Sequence, residues 1–259
     1  MYDFRLKKSL GQNLLRDKNI AIKILKHIDI ENDSVIVEIG PGDGAITGLL
    51  LERFKKVIAV EIDRKFVERL KERYLDSEKF TILCDDFLKV DIEKFYNKYG
   101  KLNIVGNLPY HITSPVLFRL FNERKFINQA YLMVQREVGE RIVSPCKTKN
   151  RGILSVFSQY FCNVNSLFSV SKNVFYPVPK VDSLFMKLDF IKENAPEVKD
   201  EELFRKIVKL TFGKRRKYLK NSLNEIETIS LNEEFNLNRR PEELTVAEFV
   251  KLTNLVCKI

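Results

Sequence analysis

The chain has 259 residues, of which 44% are hydrophobic, and a formal net charge of +10. This length can hold one large core and a small second domain, and the hydrophobic fraction is that of an ordinary soluble protein. No apolar run approaches the roughly 20 residues of a membrane span, and the first residues lack the apolar core of a signal peptide, so we expect a cytoplasmic protein without a membrane partner. The cysteines are scattered and only two histidines are present, so we predict no metal site. The positive charge favours a polyanion as partner.

The first motif in chain order is a glycine-rich loop that follows a strand. Val35 to Ile39 is an apolar run typical of a buried parallel strand, and it ends in Gly40-Pro41-Gly42-Asp43-Gly44 before the helical pattern of Ala45 to Phe54. Glycine allows the backbone to approach a ligand closely. The spacing is Gly-x-Gly-x-Gly, whereas the dinucleotide fingerprint is Gly-x-Gly-x-x-Gly, so pyrophosphate binding is the weaker interpretation.

Carboxylates end the next two predicted strands. Glu61 follows Lys56 to Val60, roughly 20 residues past the first glycine, where folds of this type bind a ribose diol. Asp85 and Asp86 follow Phe80 to Cys84. We assign Asp86 to the amine of a cofactor adenine and Asp85 to a structural role, with a solvated strand-end turn as the alternative for the pair. An adenosyl cofactor without phosphates fits this set, and S-adenosylmethionine is the common one.

The tetrapeptide Asn107-Leu108-Pro109-Tyr110 suits methylation of the exocyclic amine of adenine. The lone pair of that amine is delocalised into the purine ring, so a catalyst must draw the two N6 hydrogens into acceptors. The Asn107 side-chain oxygen and a backbone carbonyl freed by Pro109 can accept them. Tyr110 adds a flat face, on which a stacked base gains about 1 to 3 kcal/mol. An ordinary strand-end turn is the alternative interpretation.

Strands and helices alternate along the first part of the chain, which predicts a doubly wound parallel sheet. The predicted parallel strands are Val35 to Ile39, Val57 to Val60, Thr81 to Leu83, Asn103 to Val105 and Ala130 to Val134, and the predicted helices between them are Ala45 to Phe54, Arg64 to Tyr74, Pro115 to Phe121 and Arg136 to Val143. Two more strands are predicted at Asn163 to Val170 and Ser183 to Phe190. A polar linker, residues 192–197, then leads into helical periodicity and a helix with a capping box at Thr245 to Glu248. We expect an α/β domain over residues 1–191 and a small all-helical domain over residues 192–259.

Two basic clusters are candidates for contact with RNA phosphates. The first lies in a loop between helical patterns, and the second lies in the helical domain, interleaved with Phe212 and Tyr218. The predicted RNA-binding residues are Lys147, Lys149, Arg151, Lys214, Arg215, Arg216, Lys217 and Lys220. A solvated helix face is the alternative for such clusters.

Five motifs in register carry a family resemblance. They are Gly11 to Leu15, Glu38 to Gly44, Asn107 to Tyr110, Phe175 to Ser183 and Phe212 to Lys217. Over essentially its whole length the chain resembles the ribosomal RNA adenine N6-dimethyltransferases, and most the bacterial enzymes that modify small-subunit ribosomal RNA. The resemblance implies a seven-stranded, Rossmann-like class I methyltransferase domain, with the last two strands antiparallel, and a small C-terminal helical domain that binds RNA or the ribosome.

The resemblance also implies roles for individual residues. The segment from Gln12 to Leu14 lies over the methionine part of the cofactor, while Asn107 and the Leu108 carbonyl hold the target N6. Tyr110 and Phe175 sandwich a base that has been extruded from the RNA, although Phe175 is also a candidate core residue. The predicted cofactor-binding residues are Gln12, Asn13, Leu14, Gly40, Gly42, Glu61, Ile62, Asp86, Phe87 and Asn107. The predicted catalytic residues are Asn107, Leu108, Pro109, Tyr110 and Phe175.

Three positions depart from the family pattern. The family commonly has Phe at Leu14, a small residue at Phe87 and Asn at His111. Leu14 still provides an apolar lid, and the Phe87 backbone amide can serve unchanged. We do not assign His111 as a general base, because N6 carrying a third carbon is a strongly acidic ammonium that can lose its proton to water.

The implied substrate is a pair of adjacent adenosines in a hairpin near the 3′ end of small-subunit (16S) ribosomal RNA, methylated by a monomeric enzyme on the assembling 30S particle. One alternative is a resistance-type methyltransferase acting on large-subunit RNA, which usually carries Ile where this chain has Leu108. The other is a catalytically silent RNA-binding assembly factor. The intact cofactor and tetrapeptide motifs argue against the silent factor.

Overall fold

The predicted alternation of strands and helices is present in the fold. The structure is a computed structural model that describes residues 10–191, 196–224, 226 and 234–257, so residues 192–195 of the predicted linker lie outside it. The strands are β1 (Leu14–Leu15), β2 (Val35–Ile39), β3 (Lys56–Glu61), β4 (Phe80–Cys84), β5 (Leu102–Asn107), β6 (Ile127–Gln135), β7 (Asn163–Val170), β8 (Phe175–Tyr176) and β9 (Ser183–Asp189). The helices are α1 (Lys18–His27), α2 (Thr47–Arg53), α3 (Arg64–Arg73), α4 (Ile92–Tyr99), α5 (Thr113–Asn122), α6 (Arg136–Val143), α7 (Ile153–Phe161), α8 (Glu201–Gly213), α9 (Leu219–Ser222) and α10 (Val246–Val256).

Seven strands form one sheet in the order β4-β3-β2-β5-β6-β9-β7. Strands β2 to β6 pair in parallel. Strand β9 pairs antiparallel with β6, placing Leu132 opposite Met186, and β7 lies on its far side. The predicted Rossmann-like class I arrangement is therefore confirmed.

Apolar residues on both faces explain why β2 lies inside the sheet. All five of its residues are buried. Ile36 packs in one buried cluster with Ile24 of α1 and Leu50 of α2, each 0% exposed. Burying one such aliphatic side chain is worth about 1.5 to 3 kcal/mol. This cluster holds the first two helices against the sheet and fixes the loop that follows β2.

A crevice for a ligand opens between β2 and β5. These strands are neighbours in the sheet although β3 and β4 lie between them in the chain, so the strand order reverses here and the connections leave in opposite directions. The glycine loop follows β2, and Asn107 ends β5. The topology thus brings together two motifs more than sixty residues apart.

A second, two-stranded sheet, which the sequence did not predict, contributes Leu14, Leu15 and Phe175 to the wall of the crevice. Strand β1 pairs antiparallel with β8, so that Leu14 lies opposite Tyr176 and Leu15 opposite Phe175. The Arg16 amide extends this pairing by donating to the Val174 carbonyl at 2.8 Å. The pairing holds the segment from Gln12 to Leu14 beside the sheet edge.

The chain divides into two compact units, residues 1–139 with 164–191 and residues 140–163 with 192–259. The predicted boundary between residues 191 and 192 is present, but residues 140–163, which we had assigned to the first domain, belong to the second unit. The reason is the apolar face of α7, whose Phe157 and Tyr160 rings pack on Phe204 of α8 at 5.9 and 4.4 Å. The predicted capping box of α10 is confirmed, since the Glu248 amide donates to Thr245 Oγ1 at 3.2 Å. No helix within the described ranges is long and apolar enough to cross a membrane.

Candidate active site

The carboxyl-terminal edge of the parallel strands carries a pocket of about 240 Å³. It is lined by every residue that the sequence predicts for the cofactor and for catalysis. These are Gln12, Asn13, Leu14, Gly40, Gly42, Glu61, Ile62, Asp86, Phe87, Asn107, Leu108, Pro109, Tyr110 and Phe175. The roles assigned to the individual residues stay predictions.

The glycine loop forms one wall of the pocket with its bare backbone. Gly40 has a φ of +61° and Gly42 a φ of +57°, a region that side chains disfavour. A Cβ on Gly40 would meet nothing within 4 Å, whereas a Cβ on Gly42 would come within 2.8 Å of the Leu14 side chain. Gly40 therefore leaves open space in the pocket, and Gly42 lets Leu14 close over the loop.

Glu61 is held by two backbone amides at the end of β3. Its carboxylate accepts hydrogen bonds from the Gly42 amide at 3.1 Å and from the Asp63 amide at 2.8 Å. Burial raises the pKa of Glu61, and these two hydrogen bonds oppose that rise by favouring the ionised form. The carboxylate is fixed in orientation, and its remaining lone pairs can accept two hydroxyl groups of a ribose.

Glu38 is a buried carboxyl group in the pocket wall whose role sequence analysis missed. It is 3% exposed, and burial raises its pKa to about 8, with the nearby Glu61 charge adding to the effect. Its Oε2 atom has no hydrogen-bond partner among the residues that the structure describes. A glutamate within an otherwise apolar, fully buried strand was a signal in the sequence that could have been used.

The amino-terminal segment presents a second unpaired polar atom. Gln12 Nε2 donates to Asp63 Oδ2 at 3.2 Å, while Gln12 Oε1 is buried and has no partner within the described ranges. Arg16 Nη1 lies 3.0 Å from Asp43 Oδ2 and ties this segment to the glycine loop. Sequence analysis missed both Asp63 and Arg16, because neither contact is local in the chain.

The carboxylates after β4 form a turn at the edge of the pocket. Asp86 Oδ1 accepts from the Leu88 amide at 2.9 Å, and Asp85 Oδ1 accepts from the Asp86 amide at 2.7 Å. Phe87 is 4% exposed, and its ring lies 5.1 Å from the Arg119 guanidinium. The phenylalanine that departs from the family pattern is thus accommodated by burial.

Asn107 is the polar side chain at the end of β5. Its Nδ2 atom donates to the Asn13 carbonyl at 3.0 Å, which leaves Oδ1 as the free acceptor. The Leu108 amide donates to the Met133 carbonyl of β6 at 3.0 Å, so the tetrapeptide continues the sheet pairing before Pro109 ends it. An acceptor is therefore held at the pocket edge in a fixed orientation.

The two predicted stacking rings differ in exposure. Tyr110 is half-buried, and its hydroxyl lies 3.3 Å from Ser183 Oγ and 3.4 Å from the Val181 carbonyl. Phe175 is only 3% exposed and belongs to the same core cluster as Leu15, although it also lines the pocket. The Tyr110 ring is accessible to a base, whereas the Phe175 ring is buried in the pocket wall. His111 lines the pocket at its exposed rim, beside Gly11.

The predicted RNA-binding residues do not all face solvent. Lys147, Lys149, Arg216, Lys217 and Lys220 are exposed, and Lys214 is half-buried. Arg151 is a correction, since it is 1% exposed and its Nη1 donates to the Ser144 carbonyl at 3.1 Å and to Gln159 Oε1 at 3.0 Å. A guanidinium committed to buried acceptors is not available to phosphates.

The donor set fits an adenosyl cofactor. Gly40 leaves space where a ligand can press on the backbone, Gln12 offers an unpaired buried oxygen, and Glu61 offers a fixed carboxylate. A parallel sheet with this loop and these carboxylates defines a class I methyltransferase. The family described as ribosomal RNA adenine dimethylase matches residues 3–258, and the chain belongs to it. The predicted enzyme class, with S-adenosylmethionine as methyl donor, is thereby confirmed.

Relatives and solved structures agree over nearly the full length. A protein of Clostridium acetobutylicum named Ribosomal RNA small subunit methyltransferase A is 36% identical over 98% of this chain and 94% of its own. The protein of that name from Fusobacterium nucleatum is 37% identical over 98% of each chain. A dimethyladenosine transferase from Plasmodium falciparum has a TM-score of 0.79 at 26% identity, covering 95% of this chain and 98% of its own. The 23S rRNA methyltransferase ErmE shares the fold, with a TM-score of 0.70 at 23% identity over 95% of this chain and 100% of its own.

Proposed function

We propose that this protein transfers methyl groups from S-adenosylmethionine to N6 of two adjacent adenosines in a hairpin near the 3′ end of small-subunit (16S) ribosomal RNA, giving N6,N6-dimethyladenosine. The observation that carries the chemistry is the orientation of Asn107, whose amide nitrogen is occupied by the Asn13 carbonyl at 3.0 Å. The target subunit is supported by relatives that are 36 to 37% identical and carry the small-subunit name.

The pocket binds and orients the cofactor. When bound, S-adenosylmethionine supplies a methyl group on a positively charged sulfur. Glu61 accepts the ribose hydroxyls, and Asp86 accepts from the adenine amine of the cofactor. The backbone at Gly40 and Gly42 lies against the cofactor, and the segment from Gln12 to Leu14 covers its methionine part. The buried, amide-held Glu61 needs little reorganisation on binding, because its position is set before the ligand arrives.

Activation of the target amine falls to the tetrapeptide. Asn107 Oδ1 and the Leu108 carbonyl accept the N6 hydrogens, which turns the nitrogen lone pair out of the purine plane and toward the methyl group. Pro109 has no N–H and ends the pairing, so that the Leu108 carbonyl can turn to the target. Tyr110 stacks on the extruded base, with its hydroxyl anchored near Ser183, and Phe175 lies on the other side. After transfer the N6 ammonium loses its proton to water, so His111 is not required as a base.

The setting belongs to the same proposal. We place the enzyme in the cytoplasm as a monomer acting on the assembling 30S particle, with the exposed lysines of the second unit meeting ribosomal RNA. The large-subunit alternative finds support only in a shared fold at 23% identity. The silent-factor alternative predicts RNA binding without methyl transfer. The presence of the Asn107 acceptor and of the carboxylates in the pocket argues against it.

The test is a transfer assay with labelled S-adenosylmethionine and, in parallel, unmethylated small subunits and large subunits. We expect label in dimethyladenosine of the small-subunit RNA, and transfer about 10² to 10³-fold slower with an Asn107→Ala variant. Label in the large subunit alone would move the assignment to the resistance type. RNA binding without any transfer would favour the silent factor.

A further inference from the structure

The first basic loop of the second unit, residues 144–151, has an unusual backbone. Lys147 has a φ of +65°, in the left-handed region that non-glycine residues rarely occupy. Its amide donates to the Glu242 carbonyl at 2.7 Å. Such a conformation persists only where neighbouring groups hold it.

Two arginines hold this loop by its carbonyl groups. Arg215 Nη2 donates to the Lys149 carbonyl at 2.7 Å and to the Thr148 carbonyl at 3.4 Å. Its Nε atom lies 3.7 Å from Glu242 Oε2. Arg151, at the other end of the loop, is buried and donates to the Ser144 carbonyl. Both guanidinium groups therefore face the loop backbone, while the side chains of Lys147 and Lys149 are exposed.

We propose that Arg215 is a positioning residue, which fixes the loop so that Lys147 and Lys149 meet RNA phosphates, and that it does not itself bind phosphate. This inference rests on the proposed RNA contact of the second unit. A fixed loop loses less conformational entropy on binding than a mobile one, so the lysines bind more tightly when the backbone is held. The neighbouring Arg216 is exposed and serves as the contrasting case.

Lysine and arginine substitutions separate the two roles. A phosphate contact needs a positive charge, and lysine supplies one. Holding two carbonyls and a carboxylate needs the planar fork of arginine, and lysine lacks it. We therefore expect Arg215→Lys to weaken binding of unmethylated small subunits as much as Arg215→Ala, by about tenfold at moderate salt if one or two phosphate contacts are lost. We expect Arg216→Lys to restore most of what Arg216→Ala loses.

A double-mutant cycle with the loop lysines is the second arm. Because Arg215 acts through the loop, Arg215→Ala should add nothing to a Lys147→Ala, Lys149→Ala double variant, whereas Arg216→Ala should add its full effect. Hydrogen–deuterium exchange in residues 144–151 should be faster in both Arg215 variants and unchanged in Arg216→Ala. The melting temperature of each variant shows that the second unit is folded.

Three results would overturn the inference. Rescue by Arg215→Lys, or an Arg215→Ala effect that adds fully to the double variant, assigns Arg215 to phosphate. Unchanged exchange of the loop in the Arg215 variants removes the positioning role. If the double variant binds small subunits as tightly as the parent, the loop does not contact RNA and the inference fails with it, while the transfer assay still decides the enzymatic activity separately.

Discussion

The pocket at the sheet edge and the basic surface of the second unit hold their charged groups in different ways. In the pocket, carboxylates are buried and oriented by backbone amides, as Glu61 is by Gly42 and Asp63. In the second unit, the exposed positive charges are mostly lysines, and two arginines, Arg151 and Arg215, donate to backbone carbonyl groups. Charged side chains in the pocket are thus held in fixed positions, whereas in the second unit these arginines hold the backbone and the lysines face solvent.

Energetics separate the two regions as well. A buried polar group that loses its partner costs about 1 to 3 kcal/mol, whereas an exposed lysine contributes little to folding and acts through counterion release when RNA binds. Substitutions in the pocket should therefore change chemistry or stability strongly. Substitutions of the exposed lysines should change mainly the salt dependence of binding.

The largest effect is expected at Asn107. Asn107→Ala removes the acceptor for N6 and should lower the rate of methyl transfer by about 10² to 10³-fold, the usual cost of one positioned polar group of 2.7 to 4 kcal/mol. Cofactor affinity, measured by calorimetry with S-adenosylhomocysteine, should change much less. The variant loses the hydrogen bond to the Asn13 carbonyl, so a small loss of affinity is expected. Transfer at the parent rate would show that the acceptor of N6 is another group.

Glu38 sharpens the comparison through pH. Its pKa is raised from 4.5 to about 8 by burial, so the folded state holds a proton that the unfolded state releases. Stability of the ligand-free protein should therefore fall as the pH rises from about 4.5 to about 8, with a limiting slope of about 1.4 kcal/mol per pH unit. Glu38→Gln should make this slope shallower, and the raised pKa of Glu61 leaves a part of it. Denaturant unfolding at pH 5.5 and 7.5 measures the difference.

The window for that measurement is set by a group in the second unit. The Arg239 hydrogen bond lowers the pKa of Glu248 from 4.5 to about 2, so the stability it adds is present above about pH 4.5 and is lost as the pH falls from about 4.5 to about 2. Between pH 5.5 and 7.5 Glu248 stays ionised in both states and contributes no slope. Identical pH dependence of stability in the parent and in Glu38→Gln would show that the pKa of Glu38 is not raised in the folded state.

Motifs that constrain the backbone were predictable from the sequence. Gly40 and Gly42 have positive φ, and Pro109 follows the end of β5, so these residues report a backbone conformation. The parallel strands were predicted for a similar reason, since an apolar run such as β2 is buried on both faces. Function and local structure coincide at these positions, and the position of the pocket followed from them.

Non-local pairings were not predictable from the sequence. The β1–β8 pairing joins segments about 160 residues apart, and no local pattern predicts which two short extended segments will meet. The residues of helix α7 were included in the first domain, whereas their packing partner, Phe204, lies more than forty residues away in the second unit. Arg151 was predicted to be exposed because sequence neighbours suggested a basic loop, whereas its side chain is buried and its acceptors include Gln159 on the following helix.

Arg151 and Lys149 test the contrast between buried and exposed charges most directly, because they are two residues apart in one basic loop. Arg151→Met should destabilise the protein by about 2 to 3 kcal/mol, since it leaves the Ser144 carbonyl and Gln159 without a charged donor. Lys149→Met should change stability by less than about 0.5 kcal/mol. Lys149→Met should instead reduce the slope of log affinity against log salt by about 0.7 to 0.9 in binding of small subunits. Equal losses of stability in the two variants would mean that burial does not distinguish them.

The smallest effect is expected at two glycines that share a positive φ but not a location. Gly40 lies in the pocket wall, and Gly100 ends α4. Both have positive φ, +61° and +78°, and a Cβ on either would meet nothing within 4 Å. Alanine should therefore strain the backbone at both positions, by about 1 kcal/mol or more, and ligand-free unfolding measures the strain of each variant.

Only one of the two open spaces is predicted to be filled by a ligand. In the parent protein and in Gly100→Ala, S-adenosylhomocysteine at one hundred times its Kd should add about 2.7 kcal/mol of stability. In Gly40→Ala the new methyl group occupies space that the cofactor needs in order to approach the backbone. Affinity for S-adenosylhomocysteine should therefore fall about tenfold or more, equivalent to about 1.4 kcal/mol. The ligand-induced shift in melting temperature should shrink accordingly. Because each shift is measured against the ligand-free melting temperature of the same variant, backbone strain does not produce the difference between the two shifts. Equal shifts in Gly40→Ala and Gly100→Ala would place the cofactor away from the glycine loop.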